Sequence, residues 1–228
     1  MRNEDGRIVG PMDWRTKPTD RFILKWIKLH LSAHVTPLLV HLPWVRPAMV
    51  TGASAGLAVG GGVALALGWG WQAALLAACS QVLDGADGQL ARLSGRQSHA
   101  GAFLDSVLDR YGDGAMVMGL LIYSLRFGRF LPVWAIAVVG SLALLGSGSI
   151  SYSTARAAEL RIDLGRPTLA SKGTRMTAMV AGAAGTLVWP PLAAAALAYV
   201  AIHTNVVVCW RLARAARSGG GTGETRPR

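Results

Sequence analysis

Six stretches of the chain are continuously apolar: about 48–69, 71–92, 101–125, 131–155, 174–189 and 191–211. Each is near the ~20 residues that an α-helix needs to cross a bilayer, so the pattern predicts an all-α, six-transmembrane-helix bundle. Upstream, TDRFILKWIKLHLSAHV (19–35) sets Phe22, Ile23, Trp26, Ile27 and Leu31 at helical spacing, with Arg21, Lys25 and Lys28 between them. That arrangement predicts an N-terminal amphipathic helix lying in the membrane interface. Pro43 and Pro47 break the chain before the first span. The expected organisation is a flexible start (1–18), a juxtamembrane helix and linker (19–47), a six-helix membrane domain (48–217) and a flexible tail, SGGGTGETRPR, at 218–228.

Composition agrees with a membrane protein. Only 15% of the 228 residues are charged, where a soluble domain carries about 25%. The first 35 residues hold seven Lys or Arg and no early apolar core, which does not read as a signal peptide. Cys79 and Cys209 lie in separate apolar runs and read as small core residues, with neither disulfide nor metal-ligand spacing.

A net charge of +11 raises the question of nucleic acid, and its distribution answers it. If the six spans alternate, 20 of the 23 Lys and Arg fall on one side, Arg126 and Arg129 fall on the other, and Arg110 lies within the third span. This is the positive-inside pattern. It predicts a multi-pass protein of the cytoplasmic membrane with both termini cytoplasmic, in contact with anionic lipid rather than nucleic acid. The first span holds Gly52, Ser54, Gly56, Gly60, Gly61 and Gly62. Such residues serve close helix packing, and they also leave room for a bulky ligand near Pro47–Thr51.

Against this apolar background, DGADGQLARLSGRQSHAGAFLDSVLD (84–109) carries four aspartates. An unpaired carboxylate near a bilayer centre costs roughly 2.5–3.5 kcal/mol, so four would cost about 10 or more. On a helix, Asp84, Asp87, Gly88, Ala91 and Arg92 form one stripe, and Gly101, Asp105 and Asp109 form another. The connection at 93–100 is short, so the two helices are antiparallel neighbours whose stripes converge at the cytoplasmic end. Arg92 lies a turn away and Arg110 is expected to point elsewhere, which leaves divalent metal ions to compensate the charge. Oxygen-only ligation favours Mg²⁺ or Mn²⁺ over zinc, and two such ions form a clamp suited to phosphoryl transfer. The spacing DGADG is not that of an EF-hand.

The spacing Asp84-x2-Asp87-Gly88-x2-Ala91-Arg92-x8-Gly101-x3-Asp105-x3-Asp109 resembles, at every position, the signature of the CDP-alcohol phosphotransferases. The resemblance runs from the amphipathic helix to the sixth span. It implies a homodimeric six-helix membrane enzyme that moves a substituted phosphate from a CDP-alcohol to a hydroxyl acceptor, releasing CMP. It further implies that Asp84, Asp87 and Asp105 ligate one divalent metal, that Asp87, Asp105 and Asp109 share a second, and that Asp109 accepts the proton of the attacking hydroxyl. Gly88, Arg92 and Ser98, with Met49, Val50 and Thr51 on the first span, correspond to CDP-alcohol contacts. Ala48 stands where many members carry Asn or Asp.

Two resemblances bear on the acceptor. SYSTARAAEL (151–160) and RPTLASKGTRM (166–176) resemble bacterial phosphatidylinositol phosphate synthases, with Thr154 at a position where lysine is common. KPTDRF (17–22) and LDSVLDRYGD (104–113) are similar to enzymes that join CDP-inositol to inositol phosphate. Both imply an inositol-phosphate acceptor, with Arg156, Lys172, Arg175 and Arg211 as candidate contacts; the alternative is that these cations only satisfy the positive-inside rule. Two other functions use aspartate-rich membrane helices. A prenyltransferase acting on a diphosphate usually has more spans and lacks the Ala91-Arg92-x8-Gly101 linkage, and a divalent-cation transporter wants carboxylates near the midplane.

Overall fold

The computed structural model of the chain describes residues 22–128, 131–164 and 172–219. The expected flexible start, the tail beyond residue 219 and the first part of RPTLASKGTRM lie outside the described residues. All of the described secondary structure is helical: α1 (Phe22–Ile27), a π-helical turn (Lys28–Ser32), α2 (Ala33–Val40), α3 (Pro47–Ala66), α4 (Gly70–Leu93), α5 (His99–Phe127), α6 (Val133–Glu159), α7 (Lys172–Gly185) and α8 (Leu192–Gly219).

Local chemistry sets the boundaries. Pro47 sits in the first turn of α3, after Arg46 in extended backbone, a position where a missing N–H costs no hydrogen bond. Helix α4 ends where Gly95 takes a positive φ of 65°. There Arg96 N–H reaches Ala91 O (3.0 Å) and Gly95 N–H reaches Arg92 O, the paired closure that glycine favours after a helix. Three residues on, the Ser98 hydroxyl accepts Gly101 N–H at 3.0 Å and caps α5. The five residues 94–98 lead from α4 into α5; both helices pack along α3 and touch each other little, so α3, rather than the direct antiparallel pairing expected from the short connection, holds the two together.

The fifth apolar stretch behaves differently from its expected extent of 174–189. Helix α7 has 14 residues, about 21 Å, and gives way to turns over 186–191. Pro190 and Pro191 cannot donate backbone hydrogen bonds and prevent α7 from running on into α8.

Helix α3 packs most extensively against α4 and α5, α6 against α8, and α7 against both α4 and α8. Their core includes Leu65, Met116, Val117, Leu120, Met176, Met179, Leu197 and Val200. The α3–α5 crossing depends on Gly62, where a Cβ would stand 2.3 Å from Ala115 O. Gly52 and Gly56 have open space beside them instead, so packing accounts for only part of the small-residue content of α3.

By length and composition α3, α6 and α8 can each cross a membrane, and Val138, Leu145, Ile202 and Val206 point outward from the bundle. The chain is a membrane protein. Helices α4 and α5 are of similar length but carry the charged residues of the site.

The segment 22–40 lies against α4 through polar groups. Lys28, Ser32 and Thr36, at i, i+4 and i+8, are buried. Ser32 Oγ donates to Val82 O at 2.8 Å, Thr36 Oγ1 to Gln89 Oε1 at 2.6 Å, and Gln89 Nε2 to Lys28 O at 2.9 Å. Trp26 and Leu31 remain exposed.

Candidate active site

The N-terminal end of α3, the C-terminal end of α4 and the N-terminal half of α5 meet at one end of the bundle, where the two aspartate stripes face each other. Asp84, Asp105 and Asp109 each present a carboxylate oxygen, and the three oxygens lie within 4.8 Å of one another. Asp87 is buried beside them. Its Oδ2 accepts the Thr51 hydroxyl at 2.6 Å and its Oδ1 accepts Gly88 N–H, so Thr51 on α3 fixes the orientation of an aspartate on α4.

Charge compensation is partly internal, which revises the expectation that metal ions alone supply it. The Lys172 ammonium, at the start of α7, donates to Asp84 Oδ1 and to Asp109 Oδ1, each at 2.5 Å. Arg110 also turns toward the cluster rather than away from it, 3.6 Å from Asp109 Oδ2, and its guanidinium donates to Ser151 Oγ. The fold thus concentrates enough negative charge to hold an ammonium between two carboxylates. With oxygen-only donors, that cluster suits a hard divalent cation such as Mg²⁺ or Mn²⁺.

Three cavities adjoin at the aspartates. The central one, about 170 Å³, is lined by Asp84, Asp87, Gly88, Asp105, Asp109 and Lys172, among others. On one side lies a second cavity of about 170 Å³, whose walls include Thr51, Asp87, Gly88, Arg92, Ser98 and Asp105. On the other opens a cavity of about 930 Å³ that shares Asp109 and Lys172 and adds Asp113, Arg175, Arg211 and the apolar residues Leu144 and Ile150.

The candidate residues therefore divide. Thr51, Gly88, Arg92 and Ser98 line one cavity, while Met49 faces outward and Val50 packs with Val45 and Leu90. Lys172, Arg175 and Arg211 line the large cavity. Arg156 does not join them; it is exposed and pairs with Glu159 on its own helix at 2.6 Å. Arg211 donates to Ile150 O, Ser153 Oγ and Thr154 Oγ1 at 2.7–2.9 Å, so the hydroxyl of Thr154 supports a cation already present.

Sequence reasoning missed one residue. Asp113 is buried, and its Oδ2 accepts a hydrogen bond from Arg175 Nη2 at 2.6 Å. The signal was there: Asp105, Asp109 and Asp113 recur at i, i+4 and i+8, one step beyond the signature.

Comparison with known proteins agrees with this geometry. Residues 44–212 match the family model described as CDP-alcohol phosphatidyltransferase. The bifunctional IPC transferase and DIPP synthase of Thermococcus kodakarensis is 46% identical over 84 residues, 37% of this chain and 18% of that protein. The phosphatidylinositol phosphate synthase of Cutibacterium acnes is 35% identical over 138 residues, 58% of each chain. The chain thus spans less than two thirds of either relative. Crystal structures of the Mycobacterium tuberculosis phosphatidylinositol phosphate synthase, one with CDP-DAG bound and one with manganese and citrate, superpose with a TM-score of 0.73. They share 23% and 22% identity and cover 86% of this chain, and 99% and 93% of their own. At that identity the likeness is one of fold.

Proposed function

Because the chain belongs to the CDP-alcohol phosphatidyltransferase family, we propose that it transfers a substituted phosphate from a CDP-alcohol to a hydroxyl of an inositol phosphate, releasing CMP. One observation carries this reading. The aspartates stand between a cavity lined by Gly88 and Arg92 and a larger one lined by Lys172, Arg175 and Arg211. A donor diphosphate and an anionic acceptor can therefore approach the same carboxylates from opposite sides. The related synthases of inositol phospholipids and phosphodiesters support the acceptor class.

In the reaction the P–O bond to the CMP oxygen breaks and a P–O bond to the acceptor oxygen forms. CMP leaves with the bridging oxygen. Arg92 and the bare backbone at Gly88 bind the cytidine diphosphate, and Thr51 holds Asp87 toward it. Asp109, shared between the central and large cavities, accepts the proton of the attacking hydroxyl. Asp84, Asp87, Asp105 and Asp109 would hold two divalent ions, which when bound neutralise the diphosphate and acidify the hydroxyl. Lys172, Arg175 and Arg211 take the acceptor's phosphate by charge-assisted hydrogen bonds.

The proposal includes a homodimer of six spanning helices, with residues 22–40 in the interface and the site cytoplasmic. The basic residues of the site end support the orientation, and Trp69, Trp71, Trp134 and Trp189, exposed at the opposite helix ends, suit a second membrane interface there and so support the spanning. Single cysteines replacing Phe130, Gln97 and Gly220 in a cysteine-free background test it: only the first should label from outside, and the reverse would exclude this topology.

The deciding assay offers CDP-diacylglycerol or CDP-inositol with inositol phosphate or inositol, and measures CMP. Release with one donor and the phosphorylated acceptor is expected. No release with either donor would refute the proposal.

A further inference from the structure

Asp113 lies outside the signature, yet it faces the acceptor cavity from the same helical stripe as Asp105 and Asp109. It is 3% exposed and its partner Arg175 is 2% exposed. The contact between them, Asp113 Oδ2 to Arg175 Nη2 at 2.6 Å, joins α5 to α7. Arg110 stands 3.7 Å from the same oxygen.

A pair this deep is a poor device for stability alone. Desolvating two charges offsets much of their attraction, and apolar residues of similar volume often stabilise as well or better. Asp113 Oδ1, moreover, is buried without a hydrogen-bond partner among the described residues, a cost that a purely structural pair would be expected to avoid. The other groups around the large cavity give the pair a use. Without a fixed counter-charge, Arg175 could swing toward Asp109 and compete for the group that must take the hydroxyl proton.

We propose that Asp113 is a positioning residue for the acceptor phosphate: it holds the Arg175 guanidinium at the wall of the large cavity and away from Asp109. This rests on the reading of that cavity as the acceptor site. The charge on Asp113 is required, because an amide at this position still accepts a hydrogen bond but no longer pins a cation.

The test uses the full-length protein in lipid nanodiscs, with CMP release measured at varied inositol phosphate and saturating CDP-alcohol. Asp113→Asn should raise the acceptor KM roughly tenfold, since a charge-assisted contact becomes a neutral one. The donor KM and kcat should stay within about twofold, and Asp113→Glu should recover most of the loss. Because Asp113 acts through Arg175, adding Asp113→Asn to Arg175→Gln should change the acceptor KM by less than about twofold. An unchanged acceptor KM in Asp113→Asn, effects that multiply in the double variant, or an equal rise in the donor KM would overturn the proposal. If Asp113→Asn alone does not fold, the uncharged double variant decides: an acceptor KM equal to that of Arg175→Gln supports positioning, and a larger one refutes it. Failure of the acceptor reading looks different, because wild-type enzyme would then use unphosphorylated inositol as well as the phosphate.

Discussion

The acidic and basic sides of the site hold their charges in different ways. Four aspartates crowd one space from two consecutive helices, and one ammonium, that of Lys172, is shared between Asp84 and Asp109. On the basic side Asp113 holds Arg175, and Ile150 O, Ser153 and Thr154 hold Arg211. The acidic side thus shares a cation between carboxylates drawn from both helices. The basic side is already oriented, so an anionic acceptor meets guanidinium groups that need little reordering. Binding costs fall when the recognising groups are fixed in advance.

The contrast breaks first at the aspartates. Asp84→Asn, Asp87→Asn, Asp105→Asn and Asp109→Asn should each lower CMP release about 100-fold or more, the scale of losing a transition-state stabiliser. Combined variants should be little worse than single ones, because the four groups act as a unit. EDTA should abolish release and added Mg²⁺ or Mn²⁺ restore it; activity that survives chelation counts against metal dependence.

The basic side should answer more selectively. Arg175→Gln is expected to raise the acceptor KM about 10–150-fold, corresponding to roughly 1.5–3 kcal/mol for a hydrogen bond between charged groups. The donor KM should hardly move, since Arg92 and Gly88 lie on the other side of the aspartates. Equal changes in both would mean that the two cavities do not bind different substrates.

Smaller effects sharpen the picture. Thr51→Val removes the 2.6 Å hydrogen bond to Asp87 and should lower kcat/KM for the donor about 2–10-fold, with the acceptor KM unaltered. Least of all, Arg156→Ala should shift the acceptor KM by less than about threefold, because its exposed pair with Glu159 belongs to a class worth 0–1 kcal/mol. A tenfold rise on Arg156→Ala would show that this arginine reaches the acceptor despite its position.

What could be read from the sequence alone was local in origin. Runs of about 20 apolar residues mark helices, and the 3.6-residue period places Asp84 with Asp87 and Asp105 with Asp109 on common faces. All four aspartates lie within 26 residues, with only a short connection between the two helices. The tertiary structure alone decided which partners the distant cations take in the site. Lys172 reaches Asp84 across 88 positions, Arg175 reaches Asp113 across 62, and Arg211 reaches Ile150 across 61. It also kept Arg156, paired with Glu159, off the wall of the large cavity, although it was a candidate contact beside Lys172 and Arg175. Periodicity reports which side chains share one helix face; which faces lie together is set by packing such as the α3–α5 crossing at Gly62, where the fit of whole helices determines the contact.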